Sequence, residues 1–153
     1  MDYVIHHIEI DQFAAIEDPN KEDVTFSISI LPGCNIRLRS IVISIGVSFS
    51  VDENTPFLIM KANTFFQIKE DSWNSMKDNS TGNYIVPNKL LVSFIEIAIN
   101  HVRGMLFVKT ENTPFSKYVV PLVPLSELKP VKDLVIKPDG TIQDDSVAKS
   151  VSE

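Results

Sequence analysis

Residues 23–51 read DVTFSISILPGCNIRLRSIVISIGVSFSV and contain two stretches in which apolar and polar side chains alternate. Strict alternation is typical of a β-strand that is buried on one face. In the first stretch the apolar face carries Val24, Phe26, Ile28 and Ile30, and the other face carries Thr25, Ser27 and Ser29. The pattern therefore predicts antiparallel strands with one apolar face and one face rich in serine and threonine.

The second stretch, residues 35–51, contains a fault in its alternation. Its apolar residues lie in one phase up to Leu38 and in the opposite phase from Ile41 onward. A slip of one residue would turn half of the strand to the wrong face of the sheet. We therefore expect a β-bulge near Arg39–Ser40 to absorb the slip.

Two further stretches predict strands. Residues 57–69 alternate as well, and residues 3–11 show a weaker pattern. The in-phase apolar residues of 57–69 are Leu58, Met60, Ala62, Phe66 and Ile68. We thus expect four antiparallel strands joined by short turns. Residues 70–87 follow without periodicity and are rich in Asn, Asp and Ser, which predicts a crossover loop.

Residues 87–104, PNKLLVSFIEIAINHVRG, predict one long helix. Its polar residues form one narrow stripe: Lys89, Ser93, Glu96, Asn100 and Arg103. The predicted fold class is α+β, a four-stranded antiparallel sheet with a long helix packed on one face. The helix has more apolar surface than one sheet can cover. We expect a second copy of the protein to bury the surplus, and the alternative is that the loop or the tail covers it.

Beyond Gly104 the pattern predicts an extended chain punctuated by prolines. The word ENTPF occurs at residues 53–57 and again at 111–115. We expect the first copy to join two strands, with Pro56 opening the second of them, and the second copy to be an unrelated turn. Residues 129–153 are expected to form a C-terminal extension, a possible short hairpin around residues 138–140 followed by a disordered end.

Composition excludes several classes of function. The formal net charge is −6 and Lys and Arg form no cluster, which disfavours nucleic acid as a partner. The five glycines form no phosphate-binding loop. The N-terminus lacks the features of a signal peptide, and no run reaches the ~18–20 apolar residues of a membrane span. We expect a soluble cytoplasmic protein that binds neither nucleic acid nor membrane.

The sequence offers no catalytic or metal-binding constellation. His6 and His7 are adjacent on a predicted strand and would face opposite sides of it, and His101 lies far away on the helix. Cys34 is the only cysteine and is expected in a turn with no histidine nearby. We therefore expect neither enzymatic activity, nor a cofactor, nor a metal site.

The order of these elements resembles the SecB family of export chaperones and their relatives. The family has a proline-led long helix that ends in Arg-Gly and is followed by a proline-containing extended stretch. The matching positions are Pro87–Asn88, Leu90–Leu91, Phe94, Arg103–Gly104 and Pro121–Leu125. The hairpin VDENTPFLIMK also looks like the one that joins the family's second and third strands. The resemblance covers most of the chain and defines an expected SecB-like domain at residues 1–128.

The resemblance implies an ATP-independent holdase that binds unfolded polypeptide for protein export. It implies a homotetramer, built as a dimer of dimers, and a hairpin that contacts the Sec translocase motor through Val51 and Glu53. The helix residues expected in the oligomer interface are Leu91, Phe94, Ile95, Ala98 and Val102. The expected client-binding residues are Trp73, Tyr84, Phe107 and Phe115. For Trp73 the other interpretation is a loop anchor packed on the edge of the sheet.

Some features depart from the family pattern. The family's second long helix should begin near Leu125, but Pro130 and Pro138 would break it. The segment between residues 105 and 116 is also longer than in SecB. These departures indicate a divergent member, whose client is either exported protein or one dedicated protein such as an antitoxin. The alternative function is an adaptor with the SecB fold that docks one folded partner through its sheet.

Overall fold

The structure is a computed structural model that describes residues 1–52, 55–124, 131–143 and 149–152, the last four through their backbone alone. Seven strands are present in these ranges: β1 Tyr3–Ala15, β2 Thr25–Asn35, β3 Ser40–Ser50, β4 Pro56–Ile68, β5 Tyr84–Val86, β6 Leu134–Ile136 and β7 Lys149–Ser152. Two α-helices, α1 Glu70–Ser75 and α2 Asn88–Thr110, and a 3-10 helix at Pro114–Lys117 complete the described elements.

The main sheet is antiparallel and has the strand order β1-β4-β3-β2-β7. A second sheet pairs β5 with β6. The predicted fold class is confirmed, because four antiparallel strands, β1 to β4, form a sheet with a long helix on one face. The strand β7 extends this sheet by one member beyond β2.

The alternation in residues 23–51 decides which face is buried. On the buried face lie Phe26, Ile28 and Ile30 of β2 and the alternating apolar residues of β3 from Ile41 to Phe49, which are at most 6% exposed. The serines between them line the opposite face. Phe66 of β4 stacks on Phe94 of α2, with ring centroids 4.1 Å apart. The core therefore lies between the apolar face of the sheet and α2.

The fault in the alternation is a turn and not the expected bulge. Residues 36–39 connect β2 to β3, and the N–H of Arg39 donates to the carbonyl of Ile36 at 3.3 Å. A turn resets the phase without any slip inside a strand. As a result β2 continues to Asn35, and Cys34 lies in a strand where a turn was expected. Bulges do occur in β1, between Ile5 and His7 and again between Ile10 and Gln12.

The segment predicted as a crossover loop contains α1 and β5. Trp73 in α1 is buried and stacks on Tyr84 of β5, with ring centroids 4.5 Å apart. The packing of one buried aromatic side chain thus stabilises regular structure in a segment whose polar composition predicts a loop. The strand that follows the first ENTPF begins at Pro56, as predicted.

Helix α2 continues through Gly104 to Thr110, so the predicted end at Gly104 is wrong. Leu106 lies one turn further on the sheet side and is 1% exposed. Burying a leucine contributes about 1.5–3 kcal/mol, which exceeds the ~1 kcal/mol that a glycine costs within a helix. The second ENTPF therefore follows the helix directly, and its Pro114 begins the 3-10 helix.

By length and composition alone, α2 is also able to cross a membrane, contrary to the expectation that no segment could. This is weak evidence for a membrane span, because the core helix of a soluble protein meets the same criteria. Eight of its residues are buried, and they form the face that packs on the sheet.

The chain after α2 is extended from Tyr118 and is hydrogen-bonded to the helix. The Arg103 guanidinium donates to the carbonyl oxygens of Val120, at 3.0 Å, and Pro121, at 2.8 Å. Further along the chain, residues 137–141 form a turn in which the N–H of Lys137 donates to the carbonyl oxygen of Thr141 at 2.8 Å. Part of the end expected to be disordered, Lys149–Ser152, instead forms β7 beside β2.

Candidate binding surface

Strand β1 carries exposed isoleucines on the same side of the sheet as α2. Residues directly opposite each other in an antiparallel pair share a face. The side of Ile5, Ile8 and Ile10 follows from their partners in β4, which are Phe66, Thr64 and Ala62. Those partners are at most 2% exposed, whereas the isoleucines are 41%, 41% and 39% exposed. The apolar face of the sheet thus extends beyond the area that α2 covers.

Helix α2 runs beside these isoleucines and contacts β1 near both of its ends. Phe94 packs edge-on against Tyr3, with ring centroids 4.8 Å apart. Near the C-terminus of α2, the Lys109 ammonium lies 5.9 Å from the ring centroid of Phe13. Positions three, seven and eleven residues after Phe94 share one side of the helix. We name the combined surface the β1–α2 strip: Ile5, Ile8 and Ile10 of β1 with Ile97, His101 and Met105 of α2.

His101 is the titratable member of the β1–α2 strip. Its Nδ1 lies 2.9 Å from the Thr64 hydroxyl oxygen, and the side chain is half-buried. Burial lowers the pKa of the imidazole from its ordinary value of 6.5, because desolvation disfavours the charged form. The imidazole is therefore neutral at pH 7, and the strip is an uncharged surface.

The other face of β1 is polar and acidic. A chain of hydrogen bonds runs from the Ser44 hydroxyl to Asn63 at 2.6 Å, and from the Asn63 amide to the Glu9 carboxylate at 3.0 Å. The hydrogen bond from Asn63 has the larger effect in lowering the pKa of Glu9, and the contact of the His7 ring with the carboxylate, at 3.3 Å, has the next largest. The next carboxylate, Asp11, is 3.6 Å from the Lys61 ammonium, and both remain about half exposed.

The five helix residues expected in an oligomer interface lie in the core of the single chain. They are Leu91, Phe94, Ile95, Ala98 and Val102, and each is at most 1% exposed. A second copy cannot reach them without displacing the sheet, so the expected assignment is wrong. The surplus apolar surface of α2 lies instead on half-buried and exposed neighbours such as Ile97, Met105 and Val108.

The four expected client-binding residues do not form one surface. Trp73 is buried in contact with the half-buried Tyr84, which agrees with the loop-anchor interpretation. Phe115 is half-buried, 6.5 Å from the ring of Phe57, whereas Phe107 is 56% exposed on α2. Of the residues expected to contact the translocase motor, Val51 is half-buried against the core, and Glu53 lies outside the described residues.

The candidate reactive residues lie in three places: His6 and His7 on β1, His101 on α2 and Cys34 on β2. Burial raises the pKa of the Cys34 thiol to about 11, so the thiolate is scarce at pH 7. The bulge in β1 brings both His6 and His7 near Phe65, at ring distances of 5.9 and 5.3 Å, and not to opposite sides as expected. Within the described ranges, no group of three His, Cys, Asp or Glu side chains is arranged to hold a metal ion.

Comparisons of this chain with protein-family models, curated proteins and solved structures found no match. The resemblance to the SecB family therefore stays a prediction.

Sequence reasoning missed the β1–α2 strip, although β1 contains a signal for it. Ile5, Ile8 and Ile10 are spaced by three and then two residues, which breaks strict alternation and weakens the strand pattern. A bulge at His6 returns these isoleucines to one face. If a bulge is assumed, this spacing predicts that the three isoleucines share a face. It does not predict that they are exposed.

Proposed function

We propose that this protein is an ATP-independent holdase that binds unfolded polypeptide, for export or for one dedicated client. The β1–α2 strip is the observation that carries the proposal. It offers apolar side chains from two elements beside β1, which is an edge strand of the sheet among the described residues, so an unfolded chain has access there.

The β1–α2 strip costs free energy while its apolar side chains face water. Apolar surface in contact with water is unfavourable by about 25 cal/mol per Å². Isolated exposed apolar residues are normal in proteins, whereas contiguous exposed patches mark interaction sites. Three isoleucines on one face of one strand, next to the apolar flank of α2, form such a patch.

The wider proposal keeps what the resemblance implies. The protein is a cytoplasmic homotetramer, and Val51 belongs to a hairpin that contacts the translocase motor. The Ser44–Asn63–Glu9 face of the sheet is the place where the alternative function, an adaptor for one folded partner, would dock it.

The test is suppression of aggregation. A chemically unfolded protein is diluted into buffer with and without this protein, in the absence of ATP, and light scattering is followed. We expect wild-type protein to suppress scattering, and Ile8→Gln together with Ile10→Gln to lose most of the effect. Both positions are exposed, so the variant should keep the wild-type circular dichroism spectrum.

Leu38→Gln is the matched control. Leu38 is 50% exposed in the β2–β3 turn, outside the strip, so this variant should act like wild type. If wild-type protein leaves aggregation unchanged, the holdase proposal is wrong. A single stoichiometric folded partner in a pull-down, together with indifference to unfolded protein, would favour the adaptor.

A further inference from the structure

The outer side of β1 is an open edge of the main sheet. Strand β4 occupies its inner side, and within the described residues no strand pairs with the outer side. In an edge strand every second residue directs its N–H and C=O groups away from the sheet. An extended peptide that joins such an edge satisfies these groups through main-chain hydrogen bonds, and its alternate side chains determine the specificity.

The bulges in β1 limit what can pair with it. They divide the strand into short regular runs, of which His7–Ile10 lies in the middle and carries Ile8 and Ile10 of the strip. Bulges at an edge disfavour long regular pairing. A flexible segment that needs only a short run is therefore a better occupant than another long, preformed strand.

The charges beside the strip indicate the chemistry of the occupant. Glu9 and Asp11 lie on the polar side of β1, with side chains about half exposed. The sequence of β1, YVIHHIEIDQFAA, contains no Lys or Arg. A second copy paired through its own β1 would bring further carboxylates to this edge, and its β1 residues include no permanent cation. Lys61 of β4 already lies 3.6 Å from Asp11, so a client segment with Lys or Arg at alternate positions adds positive charge chiefly beside Glu9.

We propose that the client binds by strand addition to the outer edge of β1. Its apolar side chains, at alternate positions, contact the β1–α2 strip, and its intervening Lys or Arg side chains lie on the side of Glu9 and Asp11. This inference rests on the proposed holdase function and names its substrate class: extended polypeptide in which apolar and basic residues alternate.

The experiment uses a fluorescently labelled short peptide of alternating leucine and lysine and measures its binding to the whole protein by anisotropy. A peptide of the same composition, with the lysines and leucines in two blocks, should bind at least roughly tenfold more weakly, because strand addition requires alternation. Glu9→Gln combined with Asp11→Asn should weaken the binding of the alternating peptide and make this binding less dependent on salt.

N-methylation of the peptide tests the main-chain bonds directly. Two versions carry a methyl group on every second amide, in opposite phases. One phase directs its methyl groups toward β1 and should lose binding by roughly tenfold or more, whereas the other directs them to solvent and should keep most of it. Strand addition is overturned if the two methylated peptides bind equally. It is also overturned if the peptide with its leucines and lysines in two blocks binds as tightly as the alternating peptide.

The outcomes separate this inference from the proposed function. If aggregation is suppressed but methylation phase has no effect, the holdase stands and strand addition is wrong. If aggregation is not suppressed, the proposed function itself is wrong. A stable dimer that protects the β1 amides from hydrogen exchange and excludes the peptide would show that a second copy occupies the edge, which also overturns the inference.

Discussion

Asp18 fastens the β1–β2 connection to the chain that follows α2. The Tyr118 hydroxyl donates to one carboxylate oxygen at 2.6 Å, and the Lys117 ammonium lies 2.9 Å from the other. These two hydrogen bonds, with a further one from the backbone of Asn20, lower the pKa of Asp18 to about 2. The contact lies beside a cleft of about 690 Å³ whose lining includes Lys117, Tyr118 and Phe49.

The lowered pKa predicts how this contact depends on pH. An unfolded Asp18 has its ordinary pKa of 3.8, so the contact stabilises the fold above about pH 4 and loses this effect as the pH falls toward 2. Asp18→Asn should therefore be less stable than wild type at pH 7, and the difference should shrink below pH 4. Urea unfolding followed at a series of pH values measures it.

The control for this prediction is Asp23→Asn. Asp23 is an exposed carboxylate near the end of the same connection. Its substitution should leave the stability profile near that of wild type. A constant difference between Asp18→Asn and wild type from pH 7 to pH 2 would contradict the role given to the carboxylate charge.

At the scale of the single element, the length of α2 depends on whether Gly104 is a helix residue or a terminus. Gly104 is exposed, its φ is not in the left-handed region, and a Cβ built on it meets no atom within 4 Å. Nothing in its surroundings requires a glycine. The sequence alone could not establish this, because an Arg-Gly pair after an amphipathic run commonly ends a helix.

Gly104→Ala should raise the free energy of unfolding by about 0.5–1 kcal/mol, since alanine loses less backbone entropy in a helix interior. Thermal and urea unfolding measure the change. A glycine that terminates the helix in a left-handed conformation would give the opposite sign, so destabilisation by this substitution would mean that α2 ends where the sequence pattern predicts.

The pairing of β2 with β3 makes a second prediction at this scale. Gly33 lies opposite Val42, and a Cβ on Gly33 would approach the Val42 Cγ1 to 2.6 Å. Valine has little rotamer freedom with which to move aside. Gly33→Ala should therefore lower the free energy of unfolding by about 1 kcal/mol or more.

A double-mutant cycle with Val42→Ala checks the cause. In the Val42→Ala background the cost of Gly33→Ala should fall or vanish, because the clashing methyl group is gone. Additive effects of the two substitutions would show that Gly33 and Val42 are not opposite each other, and the assigned register would be wrong.

For the whole molecule, the C-terminal strand closes one edge of the main sheet. Strand β7 pairs with residues 27–30 of β2, which would otherwise be an edge strand like β1. Truncation after residue 143 should therefore expose the β2 amides that bond to β7. We expect their hydrogen exchange, followed by NMR, to become roughly tenfold faster or more.

The amides of β3 serve as the internal control for the truncation. Strand β3 keeps both of its neighbours, β2 and β4, and its exchange should change far less. Unchanged exchange in residues 27–30 would contradict the pairing of β7 with β2.

The local patterns of the sequence determined the core of the fold. Alternation in β2, β3 and β4 is a property of neighbouring residues, and it identified the buried face correctly from Phe26 to Ile68. The start of α2 and the opening of β4 at Pro56 follow from residues with strong local preferences. Local preferences of this kind persist in the folded protein because they agree with tertiary packing.

Tertiary structure decided the rest. The turn at residues 36–39 is bonded to a distant strand, since the N–H of Ile68 donates to the carbonyl of Arg39 at 2.9 Å. The continuation of α2 past Gly104 depends on the sheet that buries Leu106, and α1 depends on the Tyr84 ring beside Trp73. The candidate site depends on them most. An isoleucine in a strand is equally apolar at a covered position and at an open edge. Only the placement of α2 over β3 and β4, with β1 beyond it, leaves Ile5, Ile8 and Ile10 exposed.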